Sequence, residues 1–126
     1  ESGIIDAPIA RKPLPSLLRE IHPDGKPSVT EYRVLAENGR SSVILASPIT
    51  GRTHQIRAHL SSIGHSILGD PKYGDKKLSE KWKVKYQLLH ACRLELDGFD
   101  GDFAKYNGKI ITAEVPNTFT KIITED

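Results

Sequence analysis

The sequence predicts an α+β fold, a mainly antiparallel mixed sheet with one short amphipathic helix, and three observations carry that prediction. β-prone runs at residues 29–36, 41–47, 87–96 and 109–115 outnumber helical ones. The first two are separated only by Glu37-Asn38-Gly39-Arg40, a turn so short that the flanking strands must pair antiparallel. A single segment, from about Thr53 to Ile63, repeats its apolar residues at helical rather than strand spacing. Strands followed by an isolated helix, without regular alternation, are the pattern of an α+β domain.

Taken in order, residues 1–28 hold five of the eight prolines (Pro8, Pro13, Pro15, Pro23 and Pro27) and are expected to be extended or irregular. VTEYRVLA (29–36) and SSVILAS (41–47) form the hairpin. In the helix, Ile56, Leu60 and Ile63 share one stripe and are assigned to the core. His54, Arg57 and Ser61 share another, polar stripe, and Gly64 supplies a left-handed cap after the last turn. Residues 75–86 read as a lysine-rich loop. The last two strands, 87–96 and 109–115, flank a Gly/Asp-rich connection from Asp97 to Gly108.

Length and composition bound the functional classes. The 126 residues suit one modest core, and 37% hydrophobic with 27% charged residues is a globular balance. The chain contains no methionine and begins Glu1-Ser2-Gly3, so it is expected to be a trimmed piece of a longer protein. No apolar run approaches the roughly 18 residues of a membrane span. The one cysteine, Cys92, cannot form an internal disulfide and fits the reducing cytoplasm. The net charge of +2 hides an asymmetry: residues 1–47 balance, residues 48–93 carry nine basic against three acidic side chains, and residues 95–126 carry three against seven. A basic block in the middle of the chain is the footprint of a polyanion partner.

The segment Thr50 to Gly74, TGRTHQIRAHLSSIGHSILGDPKYG, concentrates the chemistry. Gly51-Arg52 stands just before the helix, where free backbone N–H groups and a guanidinium make a seat for phosphate. His54 and His59 are five apart and fall on different helix faces, so the i, i+4 zinc pair is missing and no metal is expected. Phosphate-cradling glycine loops are absent, and no nucleotide cofactor is expected.

This segment resembles the RluA-type pseudouridine synthases. Their Gly-Arg-x-His-Gln-Ile-Arg run falls on Gly51, Arg52, His54, Gln55, Ile56 and Arg57. The following run matches His59, Leu60, Gly64, His65, Ile67 to Asp70, Tyr73 and Gly74, and a Leu-His-Ala-x-Arg-Leu element matches Leu89 to Ala91, Arg93 and Leu94. Gly3, Ile5, Pro8, Ile9 and Arg11 resemble the family's upstream element, so the likeness spans nearly the whole chain in family order. It implies isomerisation of uridine in structured RNA, rRNA or tRNA, by an ionised aspartate that attacks the flipped nucleotide. It also implies that Arg57 pairs with that aspartate. Arginine suits the task, because its planar fork grips both carboxylate oxygens and stays charged.

The aspartate itself belongs to a His-Arg-Leu-Asp type motif that does not occur here, and the family's upstream tyrosine is missing as well. The chain is therefore expected to be the C-terminal portion of one catalytic domain, 1–126, inactive on its own. RNA contacts are assigned to Arg52, Thr53, His54, Gln55, Lys72 and Tyr73, and structural roles to Gly51, Asp70 and His90. The alternative is a noncatalytic RNA-binding module that uses the basic block 52–93.

Overall fold

A computed structural model describes residues 1–124. A three-stranded antiparallel sheet has the order β1 (Ser2–Asp6), β4 (Val29–Glu37), β5 (Ser42–Pro48). Two shorter strands, β2 (Ile9–Arg11) and β3 (Arg19–Ile21), make a separate ribbon. Helix α1 (Gln55–Ser62) packs against the sheet and β3. Then follow α2 (Lys76–Lys81), β6 (Arg93–Glu95), a 3-10 turn (Gly101–Tyr106), β7 (Ile110–Thr112) and α3 (Asn117–Thr124).

The hairpin forms as its sequence requires. Thr30 pairs with Pro48 and Glu37 with Ser42, with a register shift between Val34 and Ala36. The Asn38 carboxamide oxygen accepts from the N–H groups of Arg40 and Ser41 and closes the turn. The Asn38 amide also donates to the carbonyls of Ile122 and Ile123, tying the turn to α3.

Period-2 burial along β4 points Thr30, Tyr32 and Val34 toward α1 and Glu31, Arg33 and Leu35 away. The core sits between that sheet face and α1: Ile5, Leu60 and Ile67, with Ala7, Tyr32, Ile44 and Ile56 packed around them.

The proline-rich start is extended in β1, β2 and β3 and irregular between and after them, as expected, with all five prolines outside the strands. Several other expectations are corrected. Strand 87–96 contracts to Arg93–Glu95 and 109–115 to Ile110–Thr112, and this pair stands apart from the main sheet. Residues 87–92 are instead irregular, turning where the Leu89 N–H meets the Gln87 carbonyl, with the Leu88 N–H on the Leu68 carbonyl at 2.9 Å. Ile63 is not core: the helix ends at Ser62, and Ile63, as its cap, is 41% exposed. Gly64 does take the left-handed conformation, φ 82°, that ends the helix. Two helices were not foreseen. The lysine-rich segment folds as α2 because the Asp75 carboxylate caps it, accepting from the N–H groups of Lys77 and Leu78.

Candidate active site

The polar stripe of α1 converges on the loop that follows it. Arg57 donates from Nε to one oxygen of Asp70 and from Nη2 to the other, both at 2.8 Å. The Arg57 side chain is 11% exposed and that of Asp70 0%. Asp70 also accepts from the backbone N–H groups of Lys72 and Tyr73 at 2.9 and 3.0 Å. Burial alone would raise the Asp70 carboxyl, but the Arg57 fork and the Tyr73 and Lys72 N–H groups outweigh it and hold the carboxyl at about 2. The same hydrogen bond raises Arg57. Three of these four hydrogen bonds fall on Asp70 Oδ1 and one on Oδ2, so the carboxylate is fixed to both the helix and its own loop.

Among the described residues no hydrogen bond engages Arg57 Nη1. The guanidinium is thus held to Asp70 by its Nε–Nη2 edge.

Tyr73 completes the clamp. Its ring lies 5.1 Å from Arg57 Cζ, its hydroxyl meets His54 Nδ1 at 2.9 Å and the Arg19 N–H at 2.8 Å, and its carbonyl accepts from Ser61 Oγ. His54 reaches the hydroxyl because it takes a left-handed conformation, φ 55°, as the helix cap. Burial lowers the His54 pKa, and the charges of Arg57, Lys72 and Arg19 lower it further, so the neutral imidazole is favoured.

Gln55 is turned inward. Its Nε2 donates to the Val29 carbonyl and to Thr30 Oγ1 at 2.8 and 2.9 Å, while its Oε1 accepts from the Thr50 hydroxyl and the Arg52 N–H. Next to it, fully buried His59 bridges Thr30 Oγ1 and the Ala7 carbonyl. Since a carbonyl only accepts, His59 Nε2 carries a hydrogen. This network ties α1 to the start of β4, and so sets where Arg57 stands. Sequence reasoning placed Gln55 among RNA contacts and, having rejected His59 as a zinc ligand, gave it no structural role. The signal available was that both lie beside the apolar stripe of the helix.

The remaining site residues are spread around this centre. Arg52 spends its Nε on the Pro27 carbonyl at 2.9 Å, so the expected phosphate seat is partly filled from within. Gly51, Thr53 and Lys72 are exposed. His90 packs edge-on to Phe119, with its Nε2 buried and without a hydrogen-bond partner among the described residues. No group of three or more His, Cys, Asp or Glu side chains among the described residues could hold a metal ion. No helix of the described residues is long and apolar enough to cross a membrane.

The family model for RNA pseudouridylate synthase matches residues 1–62. An uncharacterized RNA pseudouridine synthase of Chloroflexus aurantiacus is 45% identical over 96 residues, which are 76% of this chain and 30% of that protein. Ribosomal large subunit pseudouridine synthase D of Nitrosomonas europaea is 40% identical over 121 residues, 92% of this chain and 33% of that one. The chain belongs to the RNA pseudouridylate synthase family.

The fold agrees. Human RNA pseudouridylate synthase domain containing 1 superposes with a TM-score of 0.69 at 26% identity, covering 97% of this chain and 51% of that one. Human RNA pseudouridylate synthase domain containing 4 gives 0.62, also at 26% identity, over 94% and 54%. The chain thus spans 30% and 33% of the length of the two curated relatives.

Proposed function

We propose that this chain is the arginine-bearing, C-terminal portion of the catalytic domain of an RNA pseudouridine synthase acting on rRNA or tRNA in the cytoplasm. The observation that carries the reading is the Arg57–Asp70 fork. It fixes a guanidinium by one edge, and the nucleophilic aspartate, which a segment outside this sequence would supply, would meet the other. Paired in that way, the aspartate stays ionised in a pocket poor in water. It attacks the flipped uridine, the bond from sugar to ring nitrogen breaks, and the base is rejoined through carbon with loss of the C5 hydrogen.

Unsatisfied surfaces support a domain that continues beyond these residues. Ile4 on the far sheet face is 66% exposed, and Leu94, Ile110 and Ile111 on the β6–β7 ribbon are 56%, 53% and 54% exposed. For RNA contact, Arg52, Thr53, His54, Lys72 and Tyr73 remain grouped at the mouth of the clamp. Gln55 leaves that set, because its amide is consumed internally. The noncatalytic alternative uses the same basic residues but gives no reason for a buried arginine–aspartate fork beside them.

Disrupting the gene in its own cell should remove pseudouridine from one or a few positions of rRNA or tRNA. Carbodiimide-dependent primer extension reads this directly, and the full-length gene supplied in trans should restore it. A pseudouridine profile unchanged by disruption would sink the proposal.

A further inference from the structure

Behind the Asp70 loop, the segment that follows α2 forms a groove of about 350 Å³ with α3. Trp82, Lys83, Lys85 and Tyr86 line one side of it, and Lys121 and Ile122 the other. We propose that this groove takes an unpaired base of the RNA, stacked on Tyr86, with the lysines on the flanking phosphates. The proposal rests on the RNA reading above and adds to it a place where the strand docks.

Three features favour that occupant over an apolar partner. Tyr86 is 78% exposed, yet its backbone is fixed. Gly69, at φ 82°, packs so closely beneath the Tyr86 carbonyl and the Val84 side chain that any side chain there would collide with them. The Val84 N–H on Ser79 and the Leu88 N–H on Leu68 hold the strand on either side. An exposed ring on a fixed backbone is a stacking platform that loses little freedom on binding.

Charge is the second feature. Lys72, Lys76, Lys77, Lys81, Lys83 and Lys85 lie within one short segment, and none forms an ion pair among the described residues. Of the two acids among them, Asp75 is already occupied in capping α2. Unneutralised lysines beside an exposed aromatic ring suit single-stranded nucleic acid better than a protein face.

Location is the third. The groove and the clamp share one loop: Gly69 faces Tyr86, and its neighbour Asp70 grips Arg57. A strand held in the groove is therefore one loop's thickness from the arginine.

The test uses the full-length protein and a short single-stranded RNA carrying 5-iodouridine, irradiated and mapped by mass spectrometry. The crosslinked peptide should contain Trp82 or Tyr86. Tyr86→Ala should weaken affinity for that RNA by about 5- to 150-fold, the range for loss of one stacked base. Tyr86→Phe, which keeps the ring, should bind like wild type. Joint Lys83→Glu and Lys85→Glu replacement should weaken binding and flatten its salt dependence. Crosslinks that map wholly elsewhere, or a Tyr86→Ala protein with wild-type affinity, overturn the groove. If the wild-type protein isomerises uridine while crosslinking elsewhere, the groove alone falls. If it binds no RNA at all, the groove and the proposed function fall together.

Discussion

Arg57→Ala in the full-length protein is expected to slow isomerisation of bound uridine by about two to four powers of ten. Removing one partner of a buried charge pair costs about 3–5 kcal/mol, and about 1.4 kcal/mol on the barrier is a factor of ten. The proposed second carboxylate would lose both its orientation and the charge that keeps it ionised. Arg57→Lys should restore only part of the rate, because an ammonium cannot hold both oxygens of Asp70 on one edge while meeting a second carboxylate on another. Arg52→Ala should do the opposite, weakening RNA binding while leaving saturated turnover closer to normal. Single-turnover rates at saturating enzyme, with RNA affinity measured separately, distinguish the two. Poor RNA binding by Arg57→Ala with a normal rate on bound RNA would make Arg57 a phosphate contact.

Asp70→Ala should instead act on stability. It leaves Arg57, only 11% exposed, without its carboxylate, and strips the Lys72 and Tyr73 N–H groups of their acceptor. The expected loss is about 3–5 kcal/mol in denaturant unfolding. The pH dependence follows from the same pair. The carboxyl sits at about 2 in the folded chain, below its ordinary value of 3.8. A depressed folded pKa means stability that is complete above the unfolded value, near pH 4, and lost as pH falls through about 2. At neutral pH that linkage is worth about 2 kcal/mol. Asp70→Asn should lose this acid limb while keeping one oxygen for the turn. An acid limb that persists in Asp70→Asn would assign it to other carboxylates.

Much of this architecture was legible in the sequence because local chemistry decided it. Asn38-Gly39 set the hairpin, and the spacing of Ile56 and Leu60 set the buried face of α1. The polar stripe of His54, Arg57 and Ser61 was also readable, and all three side chains meet Tyr73. What could not be read is where that stripe pointed. Asp70 was placed as a loop anchor, and its grip on Arg57 spans 13 residues that periodicity does not connect.

Ile63 looked like core because helical spacing continued to it, but the helix stopped one residue short. α2 was hidden by its lysines, although Asp75 was a visible cap. α3 was missed because no element was assigned beyond residue 115, although its run begins directly after Pro116. Leu94, Ile110 and Ile111 had the composition of sheet core and stand exposed on an isolated ribbon. Pattern reports the face a residue offers, not whether these residues cover it.

The account centres on a chain that carries the nucleophile's support and not the nucleophile. Tritium release from RNA labelled at uridine C5 tests it most directly, with the full-length protein and the 126-residue chain assayed side by side. The account predicts release by the full-length protein and none by the chain alone. Turnover by the pure 126-residue chain would contradict it, placing the catalytic aspartate within these residues and making Asp70, here enclosed by four hydrogen bonds, the first to be reconsidered.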